Sequence, residues 1–294
     1  MAILIEKNTK VLVQGITGKE GSRAAEQMLA YSTEVLAGVT PGKGGQEILG
    51  VPVFNSVSEA LAKFPEINTS SIAVPAAFAK VAVLEAIAAR IPLIHVLTEH
   101  IPIYDSAVCF ALALSEGLRI VGPSSIGIIS PGLGKVGSIG GPDPNFSFAK
   151  GKIGLISKSG GMTSEIALIL KKAGLGVSTA VGIGGDLIIG STFTDLLPLF
   201  ESDSNTEGII LFGEIGGTYE LQAANWIQKN KPSKKVAAFI SGLFAERLPE
   251  DLALGHAGAI IERGKTSREA KIAALNSAGV LVASTPNQLA EFFK

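Results

Sequence analysis

Short aliphatic runs alternate with helical patterns along most of this chain. Period and residue type predict a strand at Val11–Gln14, a helix over Gly18–Tyr31 and a strand at Val35–Val39. A strand at Ser71–Val74, an Ala-rich helix over Ala77–Ala89, and strands at Leu93–Leu97 and Arg119–Val121 follow. Pro131–Lys150 breaks the pattern with a crowd of glycines and prolines and reads as a junction. The alternation then restarts. Strands are predicted at Ile153–Ile156, Ser178–Val181, Gly208–Phe212, Val236–Ile240 and Val280–Val282. Helices are predicted over Thr163–Ala173, Phe193–Phe200, Tyr219–Gln228, Ser267–Ala278 and Gln288–Phe293. Strand and helix in alternation predict parallel sheets covered on both faces, because the crossover helices lie against the sheet. The expectation is an α/β protein of two domains, residues 1–130 and 131–294.

Composition narrows the class. Of 294 residues, 47% are hydrophobic and 17% charged, so large cores are expected. The net charge of −1 gives no reason to expect a nucleic-acid or acidic-membrane partner. The single cysteine, Cys109, excludes an intrachain disulfide and a multi-cysteine metal site; lying in an apolar run, it reads as core filler. No metal site is expected. Charges come too early for a signal peptide, and no apolar run has membrane-spanning length, so a cytoplasmic or organelle-matrix protein is the expectation.

The 35 glycines shift attention to phosphate chemistry, since a glycine backbone can approach a phosphate closely. Gln14–Gly21 follows the first strand and opens the first helix, where backbone N–H groups can face a phosphate. A tight turn without a ligand reads the same way. A dinucleotide site would want an acidic residue at the end of the second strand for the ribose hydroxyls. This strand instead runs into Thr40-Pro41-Gly42-Lys43-Gly44-Gly45. A lysine there suits a ribose phosphate, as coenzyme A carries; a solvated loop lysine is the alternative. Leu97-Thr98-Glu99 ends a further strand on the same carboxyl edge, with Glu99 either a ligand contact or a helix cap.

Four glycine-rich segments gather in the second half: Ser157–Thr163, Gly182–Asp186, Gly213–Gly217 and Gly255–Ile260. The first three each follow a strand, so parallel pairing would bring them to one edge. The helix beginning at Ser159-Gly160-Gly161 would present free N–H groups and a positive dipole end. His256 stands among residues too small to shield it, which suits a ring that must be reached. Glu214 and Asp186 are the carboxylates that could fix its tautomer and leave the other nitrogen free to attack. Glu214 is preferred because it sits between glycines at a strand tip. A surface histidine and a capping glutamate remain the alternative at this point.

Together these collinear segments resemble the succinyl-CoA synthetase α-subunit family of NDP-forming acid–CoA ligases, which also includes ATP citrate lyase, citryl-CoA synthetase and malate–CoA ligase. The likeness runs from Met1 through Gln14–Gly21, Gly38–Gly45, Gly182–Asp186 and Gly213–Gly217 to Gly255–Ile261. It implies a Rossmann-like CoA-binding domain followed by a flavodoxin-like ligase domain. It implies a phosphohistidine at His256 oriented by Glu214. Thr17, Gly18, Lys19 and Glu20 match the family's CoA pyrophosphate loop, Lys43 its CoA-binding lysine, and Leu97, Thr98 and Glu99 its third CoA segment. Phosphate and acid would lie against Ser159, Gly160, Gly161, Thr163 and Ser164. The implied partner is a β subunit with an ATP-grasp fold, in an αβ or α2β2 assembly, holding ATP or GTP with Mg.

Departures from the family pattern bear on the acid. Succinyl-CoA synthetases usually read Ser-Gly-Thr-Leu-Thr-Tyr-Glu where this chain has Ser159-Gly160-Gly161-Met162-Thr163-Ser164-Glu165, so the usual tyrosine is Ser164. They read Gly-Pro-Asn-Cys-Pro-Gly where this chain has Gly122-Pro123-Ser124-Ser125-Ile126-Gly127, and carry a basic pair where this chain has Leu252-Ala253-Leu254. The Gly160-Gly161-Met162 and Gly137–Gly141 segments look more like citrate-using members, and a small residue at Ser164 would leave room for a bulkier acid. Succinate is the first expectation, with citrate and malate as alternatives. A non-catalytic CoA-binding regulator is disfavoured by the presence of both Glu214 and His256. A NAD dehydrogenase is the weakest reading, because the second strand lacks the ribose carboxylate.

Overall fold

The computed structural model describes residues 3–243 and 266–294. The first unit runs β1 (Lys10–Gln14), α1 (Lys19–Ala30), β2 (Glu34–Val39), β3 (Glu47–Ile48), β4 (Val51–Phe54), α2 (Val57–Lys63), β5 (Thr69–Ile72), α3 (Ala76–Ala88), β6 (Leu93–Val96), α4 (Ile103–Ser115) and β7 (Arg119–Val121). The strand order is β3-β4-β2-β1-β5-β6-β7, and every pairing except β3 with β4 is parallel. Leaving β3 aside, the sequence order is 3-2-1-4-5-6, the doubly wound Rossmann arrangement. It opens a crevice between β1 and β5, where the winding reverses.

The second unit comprises β8 (Gly127–Ser130), β9 (Gly134–Gly137), α5 (Pro144–Ser147), β10 (Lys150–Ser157), α6 (Gly160–Lys172), β11 (Val177–Gly182), α7 (Phe193–Ser202), β12 (Gly208–Gly213), α8 (Tyr219–Asn230), β13 (Lys235–Ile240), α9 (Arg268–Ser277), β14 (Leu281–Val282) and α10 (Gln288–Glu291). Its order is β14-β13-β12-β10-β11-β8-β9. The five parallel strands β10 to β14 follow the flavodoxin order, with the reversal between β10 and β12. The hairpin β8–β9 extends this sheet antiparallel to β11. The glycine- and proline-rich stretch 131–150 therefore contributes β9 to the second sheet and a short helix, α5, that packs on α6.

Burial explains the strand runs. Val11 and Val13 pack into one core and Leu12 into another, all fully buried. Ile209 and Leu211 face one side of β12, while Ile210 and Phe212 face the other. A strand covered on both faces has no polar face to display, so its sequence reads as a continuous apolar run. Two helices left unassigned from sequence have visible causes. At the start of α2 the Ser56 side chain accepts from the Glu59 amide, while Glu59 reaches back to the Asn55 amide. On α4, Ser106, Cys109 and Ala113 form the buried stripe, with the thiol in the core.

One core cluster is continuous from the first unit to the second. It joins Val11, Ala24 and Met28 to Ile128, Val136 and Ile156. Helix α1 lies against β9, and the Gly137 amide donates to Met28 Sδ at 3.4 Å. Among the described residues, no helix is long and apolar enough to cross a membrane.

Candidate functional site

The carboxyl edge of the first sheet gathers three of the sequence-predicted segments. Gly15 leaves β1 at φ 85°, and a Cβ there would fall 2.6 Å from the Ala73 carbonyl oxygen. A Cβ on Gly21 would fall 2.1 Å from the Gly15 carbonyl, so this turn is closed to any larger residue at either position. Gly18 caps α1 without a side-chain hydrogen bond, which leaves the helix-start amides for a ligand. Thr17 Oγ1 donates to Thr40 Oγ1 at 3.1 Å and ties this turn to the end of β2. Gly18, Lys19 and Glu20 are exposed, with Glu20 paired to Arg23 at 2.8 Å. The Lys43 loop is shaped by Asn55, whose Oδ1 accepts from the amides of Gly42 and Gly44, each at 3.0 Å. Lys43 itself is exposed. After β6, the Leu97 amide donates to the Ile72 carbonyl. Thr98 is buried and donates to the Val74 carbonyl at 2.7 Å, while Glu99 is exposed and accepts from Ser124 Oγ at 3.5 Å.

A buried polar relay joins this unit to the second. Ser71 Oγ lies 3.0 Å from His95 Nδ1, and His95 Nε2 lies 2.9 Å from the Ser125 carbonyl oxygen. A carbonyl can only accept, so Nε2 carries the proton and Nδ1 accepts from the serine. Ser125 Oγ then donates to the Gly182 carbonyl at the end of β11, at 2.5 Å. Burial pushes the His95 imidazole down to about 4, against the opposing bond to Ser125, so the ring is neutral.

In the second sheet β12, β10 and β11 are parallel neighbours, so the loops after them meet at one edge. The winding reverses between β10 and β12, and the crevice at such a reversal is where open α/β sheets bind ligands. Helix α6 starts there. Ser159 caps it by accepting from the Met162 amide, and Thr163 Oγ1 donates back to the Ser159 carbonyl at 2.6 Å. Gly160 packs on Ile126, with room for no Cβ, whereas Gly161 faces open space. Ser164, the fifth residue of α6, is half-buried.

Glu214 leaves β12 at this crevice and is buried. Three charged side chains that the sequence reading gave no role surround it: Lys158, Glu220 on α8 and Lys271 on α9. Lys158 Nζ forms an ion pair with Glu214 Oε1 at 3.0 Å and lies 3.9 Å from Glu220 Oε1. Glu220 Oε1 accepts from the Glu214 amide at 3.1 Å. Lys271 Nζ donates to the Glu214 carbonyl at 2.6 Å, to Glu220 Oε2 at 2.5 Å and to the Gly216 carbonyl. Burial lowers the proton affinity of Lys158, but the charges of Glu220 and Glu214 outweigh it and hold its ammonium above the ordinary lysine range. For Lys271 burial prevails over Glu220, and the shift is downward. The sequence carried a signal for two of these residues. Glu220 shares the buried stripe of α8 with Ala223, Ala224 and Ile227, and Lys271 that of α9 with Leu275. A charge on an apolar stripe requires a buried partner.

His256 lies outside the described residues. The chain on either side of that stretch meets the Glu214 loop: Gly242 packs so closely on Ile215 that a Cβ would fall 2.5 Å from it, and the Gly216 amide donates to the Thr266 carbonyl at 3.2 Å. Asp186, the other carboxylate considered, is half-buried on the loop after β11. Among the described residues no group of three or more His, Cys, Asp or Glu stands together as a metal site.

Residues 6–100 match the CoA binding domain model and residues 156–288 the CoA-ligase model. The chain is 47% identical over 289 residues to the succinate–CoA ligase [ADP-forming] subunit alpha of Methanothermobacter thermautotrophicus, covering 98% of this chain and 95% of that one. It is 48% identical to the corresponding subunit of Aquifex aeolicus, covering 99% and 93%. Among solved structures, ATP citrate lyase from Methanothrix soehngenii, in complex with citrate and coenzyme A, superposes with a TM-score of 0.91 at 25% identity. That match covers 99% of this chain and 51% of the lyase, so the chain spans about half the lyase's length. With a CoA-binding domain, a CoA-ligase domain and close to half its residues shared along nearly its full length, the chain belongs to the family of succinate–CoA ligase α subunits.

Proposed function

We propose that this chain is the CoA-binding, phosphate-carrying α subunit of an ADP-forming carboxylate–CoA ligase, with succinate as its acid. The observation that carries the reading is Glu214. A buried carboxylate at the reversal point of the second sheet, beside the start of α6, is suited to orient an imidazole that takes a phosphoryl group. Both ends of the chain that flank the His256 stretch meet the Glu214 loop, which supports pairing the two residues.

In the proposed sequence a partner β subunit with an ATP-grasp fold holds the nucleoside triphosphate and its Mg. His256 attacks the terminal phosphorus; an N–P bond forms, the bond to the terminal phosphate breaks, and the diphosphate leaves. A carboxylate oxygen of the acid then takes the phosphoryl group from His256, giving an acyl phosphate. The CoA sulfur, having lost its proton, attacks the acyl carbon, and phosphate leaves. The amides at Gly160 and Gly161 would meet the phosphoryl oxygens, with Ser159, Thr163 and Ser164 lining the acid. Thr17–Glu20 would hold the pyrophosphate of CoA, Lys43 its ribose phosphate, and Leu97–Glu99 the remaining segment. Such transfers depend on positioning and charge neutralisation more than on covalent assistance.

The test is mass spectrometry of the chain incubated with its β partner and ATP or GTP, followed by a thioester assay with succinate, citrate and malate. Phosphate on His256 and preference for succinate are expected. No phosphate on His256 sinks the enzyme reading and leaves a CoA-binding regulator. Preference for citrate, which the small Ser164 near the start of α6 favours, overturns the choice of acid alone.

A further inference from the structure

We infer that His95 is a positioning residue for thioester formation: it fixes the Ser124–Ile126 segment, which spaces the CoA edge of the first sheet from the start of α6. The inference deepens the function proposed above and rests on it.

Two edges on different sheets must work together for an acyl group to reach the CoA sulfur. The segment that connects the sheets in the chain also touches both edges. At one end the Ser124 amide donates to the Thr98 carbonyl at 2.9 Å, and Ser124 Oγ donates to Glu99 Oε1 at 3.5 Å. At the other end Ile126 packs on α6 and β11. A Cβ on Gly160 would fall 2.5 Å from Ile126 Cγ2, and one on Gly182 would fall 2.7 Å from Ile126 Cγ1. The residues from Ser124 to Ile126 therefore run from the CoA segment to the first residue of α6, a span of about 10 Å at full stretch.

Ser125 stands in the middle, fully buried, with each polar group engaged. Its amide donates to the Val96 carbonyl at 3.2 Å. Its hydroxyl donates to the Gly182 carbonyl at 2.5 Å and accepts from the Gly127 amide at 3.0 Å. Its carbonyl accepts from His95 Nε2 at 2.9 Å. Three of these partners are backbone groups; the fourth is a side chain. The rest of β6 is aliphatic, Leu93, Ile94 and Val96, so an imidazole at this buried position is not needed to fill the core. Burying it is unfavourable unless both nitrogens are bonded. Ser71 Oγ, donating to Nδ1 at 3.0 Å, satisfies one nitrogen and holds the tautomer whose Nε2 proton points at Ser125.

The Ser125 carbonyl belongs to the peptide that leads into Ile126, so its direction sets where Ile126 meets α6. The residue before it, Ser124, is held at φ 56°, a conformation that L side chains disfavour. A buried carbonyl deprived of its donor turns towards another donor or water. Ser124 is then free to relax, and the spacing between the two edges is no longer fixed. Phosphoryl transfer from the nucleotide needs no CoA and is untouched. Attack of the sulfur on the acyl carbon is the step that suffers.

The experiment uses the chain assembled with its β partner. Two rates are measured: ATP–ADP exchange, which needs no CoA, and thioester formation at saturating CoA and succinate. The wild type is compared with His95→Leu, His95→Asn and His95→Gln. Leu fills the ring's place without a donor. The amide of Asn takes the place of Nδ1 and stops short of Ser125, whereas that of Gln puts an N–H where Nε2 stood. Leu and Asn are expected to lower kcat for the thioester by about 10- to 100-fold, the cost of misplacing a reacting group. Gln is expected to stay within a few-fold of the wild type. Exchange is expected to stay within about twofold in all four, which separates mispositioning from misfolding. If Leu fails to assemble, Asn carries the comparison. Wild-type kcat in Leu or Asn overturns the inference. So does an equal loss of exchange and thioester formation, which is what a merely structural role gives, or a loss in Gln as large as in Asn. Absence of exchange in the wild type overturns the proposed function itself and is read separately from any variant.

Discussion

His95 and Gly137 are in contact across the two units: a Cβ built on Gly137 would fall 2.5 Å from His95 Cε1 and 3.0 Å from Nε2. The strand end of one sheet thus rests on a hairpin of the other with space for hydrogen only. Gly137 also has φ 83°, a conformation that costs an L side chain. Gly137→Ala is expected to destabilise the protein by about 2–4 kcal/mol, from backbone strain and overpacking together. Urea unfolding of the two proteins measures it; an unchanged midpoint would mean that the two units can part without loss.

The same histidine should make stability fall in mild acid. Its folded value of about 4 lies below its usual 6.5, so the unfolded chain takes up a proton first. The contribution is fully present above pH 6.5 and is lost as pH falls from 6.5 towards 4, by up to about 3 kcal/mol. His95→Gln does not titrate there. The gap in stability between wild type and variant should narrow across that window, and parallel curves would refute the assignment.

Removing Lys271 leaves the buried Glu220 with the more distant Lys158, 3.9 Å away, as its remaining positive partner. Lys271→Met is expected to cost about 3–5 kcal/mol, and Lys271→Met with Glu220→Met together less than Lys271→Met alone. Thermal unfolding of the single and double variants tests this. Equal losses would show that the carbonyls of Glu214 and Gly216, not Glu220, are what Lys271 chiefly serves.

Lys43 is exposed on a loop pinned by Asn55, so it has little structural work to lose. Lys43→Ala should leave the melting temperature unchanged and weaken CoA about tenfold at low salt, the scale of one charge-assisted contact. The loss should shrink as salt rises, because an exposed charge is screened. Calorimetric titration with CoA, and with CoA lacking the ribose phosphate, measures both. An equal loss for the two ligands would place Lys43 elsewhere on the cofactor.

Much of this architecture was legible in the chain. The runs Val11–Gln14 and Gly208–Phe212 read as buried strands because both faces of each are covered. The turns Gln14–Gly21 and Ser157–Thr163 were visible because glycine and serine are what a helix start beneath a strand requires. Helix α4 was not, because its run of apolar residues carries no clear helical period. The strand β9 hid among glycines and a proline that resemble a linker, and only pairing with β8 makes Gly134–Gly137 a strand.

The sequence by itself determined the alternation of strand and helix and the glycine turns that end strands, and its turn chemistry put Glu214 forward as the preferred carboxylate. Those are local properties: period, turn chemistry and residue size act over a few positions. Tertiary structure alone decided which loops meet and which charges compensate. The reversal between β10 and β12 brings Lys158 to Glu214, and the packing of α9 on α8 brings Lys271 to partners 51 and 57 residues away in the chain. A buried charge needs a partner but carries no local mark of which one, and only the winding of the sheet supplies it.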